Sequence, residues 1–188
     1  ISALPLFVPH FKIDKELIDS DKFYREELFY KIFPKRIGKT MTMDWIFAKC
    51  ADANNIVTPR DMIDLFKFAK AEQFKQYKLN PKPQEFLILA ETFKTALEEL
   101  SKNKKEKFLF AEFPHFKDYF LKFEGGYSEY DKENIAEILG TDYLKVIDIL
   151  RSIGFIKYIP KSAVYKIPTI WRKGLNIRRG KTHSKNKL

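Results

Sequence analysis

The first half of the chain has apolar residues at the spacing of amphipathic helices. Four helices are predicted there, over residues 21–33, 42–50, 58–77 and 84–100. Pro34 ends the first of them, and Thr42 caps the second. One stripe of the helix over 58–77 is expected to face the core, and it consists of Ile63, Phe66, Ala69 or Lys70, Phe74 and Tyr77. A short apolar run over 1–8 is a candidate strand, although Pro5 interrupts it.

The second half of the chain alternates between short helical and β-rich patterns, after an aromatic-rich segment over 108–123. The elements predicted there are a helix over 131–139, a helix over 141–153, and strands over 155–159 and 163–167. Asp131 and Thr141 cap the two helices, and Gly140 and Gly154 end them. The order of short helix, tight turn, second helix and hairpin predicts a winged helix-turn-helix.

Composition and these patterns together predict a mainly α protein with more than one unit. The chain has 188 residues, of which 45% are apolar and 15% aromatic, enough for one large core or two small ones. The polar, lysine-rich segment 101–107 is the expected domain boundary. The predicted units are a strand and connection over 1–20, a helical domain over 21–101, a winged-helix domain over 102–170 and a basic tail over 171–188.

Cysteine usage and hydropathy favour a cytoplasmic protein. Cys50 is the single cysteine, which excludes an internal disulfide and fits a reducing compartment. It is expected to be a small buried core residue. No apolar run has the length of a membrane span, and residues 1–8 lack the basic start and the cleavage site of a signal peptide. We therefore expect a soluble chain without membrane association.

The net charge of +10 is concentrated toward the C terminus. Residues 101–188 hold 19 Lys and Arg against 10 Asp and Glu, and no acid follows Ile170. Such a basic segment is typical of polyanion binding, because each neutralised phosphate releases condensed counterions. It is also a common means of keeping a chain soluble. The residues that we expect to contact nucleic acid are Lys157, Lys161, Lys166, Arg172, Lys173, Arg178, Arg179 and Lys181.

The charges on the predicted helix over 141–153 indicate whether the chain would read base sequence when it binds nucleic acid. Its exposed stripe is expected to consist of Asp142, Lys145, Asp148 and Arg151, opposite Leu144, Ile147 and Leu150. A recognition helix normally offers Arg, Lys, Asn or Gln to base edges and avoids carboxylates that face phosphates. The alternating charges therefore argue against sequence-specific readout.

The start of the helix over 58–77 carries an arginine where a cation is unfavourable. Thr58 is a good N-cap, Pro59 suits the first helical position, and Asp61 completes a capping box. The positive end of the helix dipole repels Arg60 by a few tenths to about 1 kcal/mol, so an anion is expected nearby. Asp64, one turn on, gives the simpler interpretation as a surface ion pair. A nucleotide phosphate held by Arg60 and the helix terminus is the alternative.

Short motifs are spread over nearly the whole chain. The first are Ile32-Phe33-Pro34, Met43-Asp44-Trp45-Ile46 and Thr58-Pro59-Arg60-Asp61. Residues 28–74, which contain them, resemble the lid region of a group of bacterial P-loop ATPases related to the AAA and STAND classes. The later motifs resemble the winged-helix module that ends those proteins. They are Ala111-Glu112-Phe113-Pro114, Ile153-Gly154-Phe155, Tyr165-Lys166-Ile167-Pro168, Trp171-Arg172-Lys173-Gly174-Leu175 and Gly180-Lys181.

The resemblance implies a role for the chain within a larger ATPase. Residues 1–8 would be the last core strand of the ATPase domain, and Arg60, with Thr58 at the same helix start, would sense the γ-phosphate from the lid. ATP and Mg would be bound by the full-length protein, with the N-terminal ATPase domain as a partner. Members of such families are often associated with DNA repair or anti-phage defence.

The chain lacks the motifs that would make it an ATPase by itself. Gly38-Lys39-Thr40 matches the end of a Walker A loop, but Phe33 stands where its first glycine belongs, and a helical pattern precedes it. No Walker B strand end is present. His10, His115 and His183 have no partner at metal-ligand spacing, so neither a metal site nor a catalytic constellation is expected.

The preferred hypothesis is therefore the lid and effector region of a P-loop ATPase. In this hypothesis the lid senses ATP, and the winged helix passes that state to nucleic acid or to a protein partner, which could be a second copy of the chain. The alternative is a stand-alone winged-helix DNA-binding regulator with a helical dimerisation domain. The sequence alone does not distinguish DNA from RNA, and it identifies neither the trigger nor the oligomeric state.

Overall fold

The computed structural model describes residues 14–81 and 85–182, and it is mainly helical, as the sequence predicts. The candidate strand over 1–8 lies outside the described residues. The α-helices are α1 (Lys15–Ser20), α2 (Lys22–Ile32), α3 (Thr42–Cys50), α4 (Pro59–Leu79), α5 (Thr92–Lys104), α6 (Lys117–Leu121), α7 (Lys132–Leu139), α8 (Tyr143–Ser152) and α9 (Thr169–Arg172). A π-helical segment, Lys105–Phe110, continues α5, and 3-10 turns cover Pro114–Phe116 and Pro160–Ser162.

Two small sheets accompany the helices. The strands are β1 (Arg36–Ile37), β2 (Thr40–Met41), β3 (Tyr127–Tyr130), β4 (Lys157–Ile159), β5 (Val164–Lys166) and β6 (Arg178–Lys181). The predicted hairpin is confirmed, because β4 pairs antiparallel with β5 in a register that places Tyr158 opposite Tyr165. The sheet order is β4-β5-β3-β6, with β3 antiparallel to β5 and parallel to β6. Strands β1, β2, β3 and β6 were not predicted.

Helix α4 buries a face that agrees only in part with the predicted stripe. Ala69 is buried and Phe66 packs against the core, as predicted. Leu65, outside the stripe, is also buried, whereas Ile63 and Phe74 are exposed. Many positions of this helix are apolar, so more than one stripe fits a helical period. The packing of α4 against α5 selects the face that is buried.

The helix caps agree with the sequence at three positions and differ at two. The Thr58 hydroxyl oxygen accepts a hydrogen bond from the Asp61 amide at 3.1 Å, and Asp131 caps α7. Gly140 follows α7 with a positive φ of 87°. The Thr42 hydroxyl, however, donates to the Pro34 carbonyl, and Met41 occupies the N-cap position of α3. Likewise Asp142, and not the predicted Thr141, occupies the N-cap position of α8.

Helix α5 begins later than predicted. Residues 85–88 form bends, and the Leu89 amide donates to the Gln73 side chain at 2.8 Å, which ties the bend to α4. The predicted boundary segment 101–107 is helical and packed. Ser101 is fully buried, and its hydroxyl accepts a hydrogen bond from the Gly174 amide at 2.7 Å. The division of the chain into domains stays a prediction.

One cluster of buried residues includes side chains from α3, α4, α5, α7, α8 and α9. Gly154, just after α8, connects the end of α8 to the turn at Ala53 and to Trp171 of α9. Its carbonyl accepts hydrogen bonds from the Ala53 amide at 2.8 Å and from the Trp171 indole at 2.9 Å. Residues on both sides of the predicted boundary therefore share contacts in the same core.

A buried ion pair lies within this core. The Lys104 ammonium group is 2.5 Å from the Asp61 carboxylate, and both side chains are only 9% exposed. The ammonium group also lies 5.0 Å from the centre of the Trp171 ring, in a cation–π contact. Asp61 thus links the start of α4 to α5 in addition to its place in the predicted capping box.

Candidate functional site

A groove with a volume of about 910 Å³ lies between α3, the first turns of α5 and the C-terminal elements α9 and β6. We term it the cationic groove, because seven of the side chains that line it are basic: Lys49, Lys94, Lys166, Arg172, Lys173, Arg178 and Arg179. Among the described residues, Glu98 is the one carboxylate in its lining. Trp45 is the one aromatic residue in that lining.

Separate elements bring these cations together. Trp45 and Lys49 are one turn apart on α3, and Lys94 and Glu98 are one turn apart on α5. Helix α9 buries Ile170 and Trp171 in the core, which fixes the adjacent Arg172 and Lys173 at the edge of the groove. Strand β6 adds Arg178 and Arg179 through its pairing with β3.

Part of the positive charge in the groove is held by local partners. Lys173 pairs with Glu98 at 2.6 Å, and Lys166 pairs with Glu129 at 2.8 Å. The hydrogen bond from Lys166 lowers the pKa of Glu129 despite its partial burial, and the charges of Arg172 and Arg179 act in the same direction. These carboxylates offset two of the seven cations.

The remaining cations repel one another. Within the described residues, no carboxylate forms an ion pair with Lys49, Lys94 or Arg179. Burial lowers the pKa of Lys49, and the nearby charges of Arg172 and Arg179 lower it further. Burial likewise lowers the pKa of Arg172, with Glu129 opposing this effect and Arg179 adding to it. The groove is therefore a region of positive potential that an anion would stabilise.

Two contacts orient the arginines. The Nε of Arg172 donates a hydrogen bond to the Ile167 carbonyl at 2.9 Å, which leaves its terminal nitrogens available to a ligand. The guanidinium of Arg178 lies 4.6 Å from the centre of the Tyr127 ring. A guanidinium held against an aromatic ring keeps its outer face free for a further planar group.

The structure gathers five of the eight predicted nucleic-acid residues in this groove. These are Lys166, Arg172, Lys173, Arg178 and Arg179. Lys157 and Lys161 belong to the hairpin and its turn, where Lys157 lies 3.3 Å from the Asn55 side chain. Lys181 is exposed on β6 and does not line the groove. The described part of the basic C-terminal segment is folded, since it forms α9 and β6.

The sequence analysis missed Lys49 and Lys94. Both lie on helices that were interpreted from their apolar positions, and the charged residues nearest to each in sequence are acidic. Their contribution depends on the docking of α3 and α5 beside α9, which no local pattern encodes.

Arg60 and Thr58 lie elsewhere, at a second cavity with a volume of about 440 Å³. The Arg60 side chain is 80% exposed, and its Nε lies 4.0 Å from an Asp64 carboxylate oxygen. Asp64 is also 3.7 Å from the Lys67 ammonium group. The predicted Asp64 partner is therefore present, at the outer limit of an ion pair, and Arg60 is weakly held.

The exposed stripe of α8 has the predicted alternating charges. Asp142, Lys145, Asp148 and Arg151 are all exposed, and Arg151 pairs with Asp148 at 3.2 Å. The prediction for Leu144 was wrong, because its side chain is 59% exposed and not packed in the core. Val146 is buried instead, next to the expected Ile147 and Leu150.

The motif that resembles the end of a Walker A loop forms a different structure. Gly38 and Lys39 make the tight turn between β1 and β2, where Gly38 has a φ of 63° and the Lys39 carbonyl accepts a hydrogen bond from Arg36. A phosphate-binding loop instead joins a strand to a helix. Thr40 lies in β2, so the three residues do not form such a cradle.

Other chemistry is limited in the part of the chain that the structure describes. No group of three or more His, Cys, Asp or Glu residues there is placed to hold a metal ion. Cys50 is buried, as predicted, and burial together with the charge of Asp61 raises the pKa of its thiol to about 12. None of the described helices has the length and apolar character that a membrane span requires.

Comparisons with protein-family models, with curated proteins and with solved structures find no match for this chain.

Proposed function

We propose that the chain binds the phosphate backbone of nucleic acid through the cationic groove, without reading base sequence. The observation that carries this proposal is the set of cations without carboxylate partners among the described residues, above all Lys49 and Arg179. A phosphate in the groove would relieve the repulsion between them and release condensed counterions. Arg172 and Arg178 would add directed hydrogen bonds.

We further propose that the C-terminal half is a winged helix-turn-helix. In our proposal α7 and α8 are the helix pair, the β4–β5 hairpin is the wing, and β3 completes the sheet by pairing with β5. Helix α8 would then occupy the place of a recognition helix. Its exposed Asp142 and Asp148 disfavour contact with phosphates, so affinity would come from the groove and from Lys157 and Lys161 of the hairpin.

Paired variants of the full chain test the groove against α8. The groove variant is Lys49→Gln with Arg179→Gln, and the control is Lys145→Gln with Arg151→Gln, which removes the same charge from exposed positions. Affinity for several unrelated oligonucleotides would be measured by fluorescence anisotropy at several salt concentrations. The groove variant should lose at least about tenfold in affinity for every sequence, and its log–log salt slope should fall by about 2.

The control variant should bind nearly as well as the unmodified protein. A strong preference for one duplex that Lys145→Gln with Arg151→Gln abolishes would contradict this proposal. It would favour the stand-alone DNA-binding regulator, in which α8 reads bases. Unchanged affinity in the groove variant would also reject it.

A second candidate function follows from the exposed Arg60. In this candidate the chain is the lid of a larger P-loop ATPase, and Arg60 contacts the γ-phosphate of Mg-bound ATP held by an N-terminal ATPase domain. The 80% exposure of the Arg60 side chain and its long distance to Asp64 favour such a contact with a neighbouring domain. Thr58 would act by capping α4 and fixing the position of Arg60.

The test uses the full-length protein with its ATPase domain. Arg60→Ala should reduce ATP turnover at least tenfold, which corresponds to about 1.4 kcal/mol of lost transition-state stabilisation. Lys67→Ala is the matched control, because Lys67 is exposed on the same helix and also approaches Asp64. Equal turnover in both variants and the unmodified protein would leave Arg60 as a surface ion-pair residue.

A further inference from the structure

The size of the cationic groove restricts the form of nucleic acid that it can take. Its volume of about 910 Å³ falls within the range of small-ligand sites, which is roughly 300–1,000 Å³. A duplex is a convex rod whose phosphates lie on its outside, so it would touch only the rim of such a groove. A single strand can enter with its bases as well as its phosphates.

An aromatic surface lies inside the groove where a base could stack. Trp45 is partly buried, and its ring makes an edge contact with Phe93 at a centroid distance of 6.2 Å. That contact holds the indole in place on the core side, while the same residue lines the groove. A fixed, partly exposed aromatic ring among cations is the arrangement by which proteins bind single strands without sequence preference.

The cations are placed to hold the phosphates on either side of such a base. Lys49 is one helical turn from Trp45, and its charge interacts with those of Arg172 and Arg179 across the groove. The guanidinium of Arg178, 4.6 Å from the centre of the Tyr127 ring, would offer a second surface for stacking. Backbone contacts and base stacking thus occur in the same groove.

We propose that the cationic groove binds a single-stranded nucleic acid, with one base stacked on Trp45 and the flanking phosphates held by Lys49, Arg172 and Arg179. This inference rests on the proposed phosphate-backbone binding and specifies its substrate. Both DNA and RNA strands share the required chemistry. The 2′-hydroxyl is the group that would distinguish them.

Four probes separate stacking from charge: an oligodeoxyuridylate and an oligouridylate of about ten nucleotides, a duplex of equal length, and inorganic polyphosphate, which has no bases. Binding of the strands to the full chain should quench tryptophan fluorescence. Trp45→Phe should remove most of the quenching, because the remaining Trp171 is only 1% exposed. It should keep most of the affinity, because phenylalanine retains an aromatic ring for stacking. Either strand should bind at least about fivefold more tightly than the duplex.

Trp45→Leu keeps an apolar contact with Phe93 and removes the stacking surface. It should weaken binding of the strands at least about fivefold and leave binding of polyphosphate unchanged. A difference between the deoxyuridylate and uridylate affinities would show which sugar the groove prefers, because the two strands carry the same base. Thermal unfolding of each variant would show whether it retains the fold.

The two proposals fail in different ways. Equal affinity for strand and duplex, with no effect of Trp45→Leu, would overturn single-strand recognition and leave backbone binding intact. Equal losses for the strands and for polyphosphate in Trp45→Leu would also overturn it, since the tryptophan would then only shape the groove. Absence of binding to all four probes would overturn both proposals.

Discussion

Gly154 is the residue on which the junction between α8 and the rest of the core depends. Its φ of 80° is in the left-handed region, which costs an L-residue roughly 1–2 kcal/mol. A Cβ at this position would lie 2.4 Å from an oxygen of Asp52. Asp52 cannot move away freely, because its other oxygen accepts hydrogen bonds from the Asn54 amide at 2.8 Å and the Ile56 amide at 2.9 Å.

Gly154→Ala should therefore destabilise the protein by more than backbone strain alone. Gly125 is a matched control, since its φ is 69° and a Cβ there would meet no atom within 4 Å. Gly125→Ala should cost about 1 kcal/mol, and Gly154→Ala should cost at least about 2 kcal/mol. Urea unfolding of the two variants would measure the difference. Equal losses would mean that the Asp52 turn yields to the added methyl group without cost.

At the scale of elements, the sequence determined which segments are helices better than it determined their faces and ends. The capped helices α4 and α7 and the β4–β5 hairpin were predicted, because caps, glycines and alternation are local signals. The buried face of α4 was predicted only in part, since apolar residues occupy several faces of this helix and its contact with α5 selects one. Strand β6 was not predicted, because its four residues are polar or glycine and show no alternation of apolar and polar positions.

The cationic groove shows the same limit for function. Its contributions from α9 and β6 were predictable, because the C-terminal charge excess is a property of the sequence. Its contributions from α3 and α5 were not, because Lys49, Lys94 and Trp45 approach the others only through tertiary packing. Charge composition therefore predicted a polyanion as the ligand, and the fold was needed to locate the groove in which the cations meet.

At the scale of the whole molecule, the core crosses the predicted boundary between residues 101 and 102. Cys50 on α3 and Trp171 on α9 both belong to the same cluster of buried residues. The Trp171 indole donates a hydrogen bond to the Gly154 carbonyl at 2.9 Å. Helix α5 packs against both α4 and α9. These shared contacts couple the two sides of the predicted boundary, so we expect the described part of the chain to unfold in one step.

Cys50 and Trp171 can report this unfolding from the two sides of the boundary. Because burial raises the pKa of the Cys50 thiol from 9.0 to about 12, the thiol stays protonated in the folded state and should react with alkylating reagents only after unfolding. The raised pKa adds stability below pH 9.0 that is lost as the pH rises toward about 12. Measurements at about pH 8 avoid this dependence and still leave the exposed thiol reactive.

In a Trp45→Phe background, Trp171 is the only tryptophan, so its fluorescence reports the C-terminal side alone. The urea midpoint from Trp171 fluorescence should coincide with the midpoint from Cys50 alkylation, because both residues lose the same core in one transition. If Cys50 reacts at a lower urea concentration than the one that changes Trp171 fluorescence, the helical part unfolds first. The boundary at 101 and 102 would then separate two domains in spite of the shared core.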